Sequence, residues 1–261
     1  MRIEILKINE NEASFLIEGV KNSFVSALRR IILSEIPTMA IELVAFKKND
    51  SALNDEIIAH RLGLIPLTFD KKAYNLPEEC TCKGKGCSRC QVKLTLKKKG
   101  PCMVYSGDLK SDSKDVKPVY DKIPIVELFE NQELELEAIA QLGLGKVHAK
   151  WQGGIVGYKN VPQISIKGSI TNNEKVVESC PRKVFKIEDG KLKIAEPLKC
   201  NYCMKCVKAS EGNIEVKPIE DSFIFNVETA SGLNAEELII ESATILEEKL
   251  KEFKKNLKKL K

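Results

Sequence analysis

The sequence predicts an α+β fold, and three features predict it. Apolar segments of period two, or continuous apolar character, recur through the middle of the chain. Apolar stripes at helical spacing lie near both ends, and a cysteine-rich stretch interrupts the strand pattern late in the sequence. With 261 residues, two or three domains are expected. Hydrophobic residues make up 43% of the chain, enough for buried cores, and no apolar run approaches the roughly 18 residues of a membrane span.

The first element reads as a hairpin, Arg2–Ile8 and Ala13–Glu18, turning at Asn9-Glu10-Asn11. A helix from about Asn22 to Glu35 follows, with Asn22 or Ser23 as its cap and Pro37 just past its end. Phe24, Ala27, Leu28, Ile31 and Ile32 form its apolar stripe, with Arg29-Arg30 on or beside it. Met39–Lys47, Val92–Lys98 and Glu133–Ala140 read as strands, Asp55–Leu62 as a helix, and Leu64–Leu67 as an extended restart. Further on, Ile164–Ile170 and Asp221–Glu228 are strands bracketing the cysteine region. Between them Lys183–Ile187 and Lys191–Ala195 flank Asp189-Gly190, a short-hairpin signal. Residues 168–220 therefore read as a small module inserted between strands of a larger body.

The last helix starts at Ala235, with Asn234 as cap and Glu237 at the capping-box position. Ile239, Ala243, Leu246, Leu250, Phe253, Leu257 and Leu260 then recur at steps of 4, 3, 4, 3, 4 and 3. That is an a/d seam over three heptads, which needs a facing helix. A partner chain is the expected source, with packing onto its own domain as the alternative. Residues 249–261 hold seven lysines against Glu252, a net +6, so the rest of the chain carries −1 of the overall +5. Phe253 is the one aromatic residue among these lysines, so they read as a solvated helix end rather than a nucleic-acid stripe.

Cysteine spacing carries the chemistry. Cys200, Cys203 and Cys206 stand at C-x2-C-x2-C spacing, and Cys180-Pro181 lies twenty residues upstream. Such a run, with a distant cysteine followed by proline, suits a cubane iron–sulfur cluster. Position 210 is serine and no C-x2-C-x2-C run precedes Cys180, so the pattern is that of one cluster, either four-iron or three-iron. Disulfides or buried thiols are the alternative. A second set, Cys80, Cys82, Cys87 and Cys90, follows C-x-C-x4-C-x2-C in a glycine-rich loop. Four thiolates there fit tetrahedral zinc, with Lys83, Lys85 and Arg89 offsetting the charge; one or two disulfides or a bare loop remain open. Cys102 reads as a small buried hydrophobe. Nine cysteines and a start unlike a signal peptide lead us to expect a cytoplasmic protein with reduced thiols.

Catalytic patterns are sparse. His60 and His148 are the two histidines, and neither sits in a nucleophile motif, so both read as structural. Trp151, the single tryptophan, reads as core or interface. Gly143-Leu144-Gly145-Lys146-Val147 lacks the spacing and hydroxyl residue of a phosphate loop.

Three segments carry a family resemblance: Phe24–Ile36 with Pro37 and Ala40-Ile41-Glu42, then Asp55–Pro66, then Gly143–Trp151. They resemble the alpha-type assembly subunits of multisubunit RNA polymerases. The cluster motif resembles the archaeal form, the counterpart of bacterial alpha and of eukaryotic subunit three. The resemblance implies a discontinuous dimerisation domain, residues 1–40 and 221–261. A strand-rich insert domain, residues 41–167, would interrupt it, and residues 168–220 would form a ferredoxin-like iron–sulfur module. It implies an interface built from Phe24, Leu28, Ile31, Ile239, Ala243, Leu246, Leu250, Phe253 and Leu257 against the small subunit L. Subunits N, P and the second-largest subunit would dock on that pair. It further implies no catalysis by this chain itself and contact with DNA only through the assembled enzyme. The rival readings are a ferredoxin-like electron carrier or oxidoreductase subunit, and a zinc-bearing DNA-binding protein. The first leaves the terminal seam unexplained, and the second lacks a recognition helix.

Overall fold

The computed structural model describes residues 1–259; Leu260, the last seam position, and Lys261 lie outside the described residues. The elements in order are β1 (Arg2–Ile8), β2 (Glu12–Glu18), α1 (Asn22–Ser34), β3 (Pro37–Asn49), α2 (Asp55–Gly63) and β4 (Gln91–Lys99). Next come β5 (Cys102–Tyr105), β6 (Lys110–Ser111), β7 (Pro124–Leu128), β8 (Glu133–Leu144) and β9 (Gly154–Ile166). The last are α3 (Asn173–Ser179), β10 (Phe185–Glu188), β11 (Lys191–Ile194), α4 (Lys205–Ala209), β12 (Ile214–Thr229) and α5 (Ala235–Lys258). The fold is α+β.

The chain divides into two compact units, the first made of Met1–Lys7, Ser14–Ser26 and Gly157–Asn226. It contains most of a four-stranded sheet of order β1-β2-β12-β9. Phe15 and Phe225 pack at 5.3 Å, and Tyr158 stacks on Phe225 at 6.2 Å while meeting the Phe223 edge at 6.0 Å. The β10–β11 hairpin pairs Phe185 with Ile194 through Glu188 with Lys191. Asp189 and Gly190 both have positive φ, 51° and 71°, as a two-residue type I′ turn demands.

The second unit comprises Ile8–Ala13, Ala27–Val156 and Val227–Lys261, of which residues up to 259 are described. Its main sheet has the order β3-β8-β4-β6, with β8 paired antiparallel to β3 and to β4. Alternation decides which way β8 faces: Leu134, Leu136, Ala138, Ala140 and Leu142 are buried, together with Val92, Leu94 and Leu96 of β4. Helix α2 adds Ile58 and Leu62 to the same core. Leu64 and Ile65 do not resume as a strand. Their N–H groups reach back to Arg61 and Leu62 carbonyls in a tightened last turn, and only Leu67 forms a bridge, to Pro118.

On the other face of β8, carboxylates alternate with the buried residues and meet lysines from both neighbouring strands. Glu137 lies 2.5 Å from Lys47 and 2.6 Å from Lys93, and Glu133 lies 3.1 Å from Lys48. Hydrogen bonds from Lys47 and Lys93 hold the Glu137 carboxyl down to about 2 from an ordinary 4.5. A carboxyl lowered by folding stabilises the fold above its unfolded value, and that stability is lost as pH falls through the folded one. Glu137→Gln is therefore expected to lower the thermal midpoint above pH 4.5, with the gap closing as pH approaches 2. A gap that persists unchanged to pH 2 would count against this ion-pair account.

Candidate functional site

The loop before β4 gathers four cysteines. Cys90 is fully buried where the chain enters β4, Cys80 is buried, and Cys82 and Cys87 are half-buried. Lys83, Gly84 and Gly86 take φ of 54°, 76° and 88°, and the loop closes through N–H bonds from Lys83 to Cys80 and from Lys85 to Cys82. The positive φ at Gly86 calls for glycine, and a Cβ there would push only on the movable end of the Gln91 side chain.

The sulfur separations are 3.5 Å for Cys80 to Cys87, 3.5 Å for Cys82 to Cys90 and 3.8 Å for Cys87 to Cys90, with all four atoms within 4.8 Å of one another. A Zn–S bond of about 2.3 Å gives a tetrahedron with edges of about 3.8 Å. The residues fit one tetrahedral ion, and none of the four is in a disulfide. Burial raises the Cys82 thiol, but hydrogen bonds from Cys80, Cys90, Cys87 and the Gly86 N–H outweigh it and bring it down to about 6. Burial pushes Cys90 up to about 12, with the neighbouring sulfurs adding to it against one N–H bond from Cys87. Such a group of thiols shares its protons, and a metal ion would displace them. These four cysteines could hold a metal.

Four further cysteines, Cys180, Cys200, Cys203 and Cys206, lie in the first unit. Cys200 and Cys206 are buried in a small core with Val176, Val184, Phe185, Ile214 and Val216, and Cys180 packs against it half-buried; Cys203 is exposed. Asn172 caps α3 by accepting from the Lys175 N–H at 2.9 Å, and α3 delivers Cys180 at its end. The chain then turns sharply at Lys183, φ 51°, so that the Val184 N–H donates to the Cys180 sulfur at 3.4 Å. Tyr202 and Met204, on either side of Cys203, both adopt left-handed backbone, φ 59° and 58°. Each costs roughly 1–2 kcal/mol for a side chain of this kind, so the loop around Cys203 is held in a costly conformation by its surroundings.

Anchors hold that loop to β9. The Lys159 ammonium donates to the Leu198 and Cys200 carbonyls at 2.7 and 2.5 Å, and the Tyr202 hydroxyl donates to the Asn160 carbonyl at 3.0 Å. Burial raises the Cys206 thiol, and the charges of Cys200, Cys180 and Cys203 raise it further. These four sulfurs are not drawn to single-ion spacing; among the described residues only the Cys80–Cys90 set is. A multi-iron cluster holds its ligands farther apart than a single ion does, and the donor set of four cysteines fits it. Neither α3 nor the Lys159 and Tyr202 anchors are evident in the sequence pattern. A polar residue before a short apolar run, Asn172, is the available signal for α3.

Cys102 opens β5, half-buried against the main core, its thiol 3.6 Å from the Lys99 carbonyl. Trp151 is buried, and its indole N–H donates to the Gln141 carbonyl at 3.2 Å. Its ring fills the space where a Gly143 Cβ would stand, and the Leu33 carbonyl does the same at Gly145. The glycines of this segment serve packing rather than phosphate. Gly143→Ala is expected to destabilise the second unit by about 1–3 kcal/mol in denaturant unfolding; no loss would mean that the ring moves aside freely. His148 accepts the Lys150 N–H through Nδ1 at 3.1 Å, a structural role, and His60 is exposed.

Helix α5 is packed at one end and bare at the other. Asn234 and Glu237 form the reciprocal cap, and Ala235, Leu238 and Ser242 are buried. Ile239 and Leu246 are half-buried and Ala243 is exposed. Leu250, Phe253 and Leu257 are 60%, 63% and 49% exposed, so the distal seam has no partner among the described residues. On α1, Leu28 and Ile31 are buried within this chain, which leaves Phe24, half-buried, as the α1 seam residue with surface to offer.

Comparison with known proteins bears directly on this arrangement. Residues 43–155 match the RNA polymerase Rpb3/RpoA insert domain. The DNA-directed RNA polymerase subunit Rpo3 of Methanosphaera stadtmanae is 46% identical, with 95% of this chain and 96% of that protein covered. Rpo3 of Methanopyrus kandleri is 38% identical, covering 97% of this chain and 94% of its own length. That of Pyrococcus furiosus is 40% identical over 100% of this chain and 98% of its own. An α+β chain aligned end to end with these relatives, with the insert-domain match across its strand-rich middle, belongs to the Rpo3 family of archaeal DNA-directed RNA polymerase subunits.

Proposed function

We propose that this chain is a non-catalytic assembly platform of an archaeal DNA-dependent RNA polymerase. It pairs with the small subunit L through α5 and Phe24, and the pair docks subunits N, P and the second-largest subunit. The observation that carries this reading is the bare distal seam of α5, Leu250, Phe253 and Leu257, in a chain of the Rpo3 family. Three large apolar side chains at heptad spacing on a helix surface need a facing helix. Residues 1–40 and 221–261 serve as the dimerisation domain, 41–167 as the insert, and 168–220 as a ferredoxin-like module.

Cys180, Cys200, Cys203 and Cys206 hold one iron–sulfur cluster whose role is to order that module, and Cys80, Cys82, Cys87 and Cys90 hold one zinc. The chain meets DNA only through the assembled enzyme, and it works in the cytoplasm. No helix among the described residues is long and apolar enough to cross a membrane. The test is metal and sulfide analysis of the chain co-expressed with subunit L and purified without oxygen. About four irons with matching sulfide and about one zinc per pair are expected. Recovery of the pair without either metal would leave the platform reading and remove both centres.

A further inference from the structure

We propose that an open groove beside the Cys180 and Cys200 loops is the docking site for an acidic, extended segment of a neighbouring protein in the polymerase. The inference rests on the chain's place in that enzyme but not on the cluster.

The groove belongs wholly to the first unit and has a volume of about 920 Å³. Lys159, Arg182, Lys183 and Lys199 line it, against the single carboxylate of Glu196. Glu196 is 3.5 Å from Lys199, which leaves three cations to one side of the balance. Arg182 and Lys183 are exposed and make no ion pair among the described residues. Lys159 is held in place by the Leu198 and Cys200 carbonyls, so two of its three N–H donors are used and one is left for an incoming oxygen.

Cations fixed around a concave surface attract a polyanion, which in this setting means an acidic peptide or a nucleic acid. The lining decides between them. It carries no aromatic ring on which a base could stack, whereas Leu6, Leu198 and Pro181 offer apolar surface between the charges. Carboxylates that alternate with aliphatic side chains match that pattern, and an extended segment presents them in that order.

The experiment places a photo-crosslinking benzoylphenylalanine at position 196, on the groove but outside its cationic set, in the complete polymerase. Mass spectrometry then identifies what is captured on irradiation. The expected product joins position 196 to an acidic segment of another subunit. Arg182→Glu with Lys183→Glu lowers its yield about tenfold or more, while Arg182→Lys with Lys183→Arg keeps it. No crosslink in an assembled enzyme, capture of nucleic acid, capture of a segment without acidic residues, or a yield indifferent to charge reversal would each overturn the proposal. Iron content and subunit composition are measured on the same samples. Loss of iron with the crosslink intact speaks against the cluster alone, and a chain that never enters the polymerase speaks against the platform reading.

Discussion

Glutamate at both Leu250 and Phe253 is expected to abolish the proposed pairing with subunit L while leaving the chain itself folded. Both side chains are mostly exposed in the single chain, at 60% and 63%, so their replacement removes little packing there. Exposed substitutions of that kind stay within about 0.5 kcal/mol. In a pair the same side chains would be buried, each contributing roughly 1.5–3 kcal/mol. Losing two of them weakens association by roughly a hundred- to ten-thousand-fold in Kd, and two carboxylates forced into the interface weaken it further. Size-exclusion chromatography of the co-expressed chains and far-UV circular dichroism of the variant read the two halves of the expectation. Ile240→Glu is the control, because Ile240 is 57% exposed but sits one position off the seam. Equal loss from Ile240→Glu, or a pair untouched by the double change, would put the partner on a different face.

The elements legible in the sequence are those whose signals are local. Asp189-Gly190 demands a tight turn, and the residues on both sides pair accordingly. Asn234 and Glu237 announce a helix start that the reciprocal hydrogen bonds realise. The Asn9 side chain accepts the N–H groups of Asn11 and Glu12 at 2.9 and 2.7 Å, which makes the first turn. What is not legible depends on tertiary context. β9 and β12 run 13 and 16 residues, but Pro162 and Pro218 lie inside them, and a proline mid-pattern argues for a break. The pattern therefore shows only Ile164–Ile170 and Asp221–Glu228 there, and the first of these leaves the sheet after Ile166. Helices α3 and α4, of seven and five residues, are too short to show a period. At the Cys80–Cys90 loop the spacing alone leaves zinc, disulfides and a bare loop open. In the structure the four sulfurs stand within 4.8 Å of one another, with Cys80 and Cys90 buried, an arrangement that could hold a metal.

Removing the proposed cluster ligands is expected to melt residues 168–220 and leave the proposed pairing with subunit L intact. Two of the seven buried members of that core are themselves cysteines, Cys200 and Cys206, and the remaining five are Val176, Val184, Phe185, Ile214 and Val216. A core of that size is marginal for a segment of about fifty residues, and metal ligation in small domains is folding energy outright. Serine at Cys200, Cys203 and Cys206 together removes ligation, but it also buries two hydroxyls at about 1–3 kcal/mol each if they find no partner. Cys203 separates the two effects. It is exposed, so Cys203→Ser changes ligation and almost no packing. If ligation orders the module, this single change lowers the iron content and raises the proteolytic sensitivity of residues 168–220 nearly as far as the triple change does. If packing orders it, Cys203→Ser is silent and Cys206→Ser, at a buried site, is severe. Limited proteolysis beside iron analysis distinguishes the two. Equal resistance in wild type, Cys203→Ser and the triple variant would show that the module stands without its cluster, leaving the left-handed backbone at Tyr202 and Met204 without a ligand to account for it.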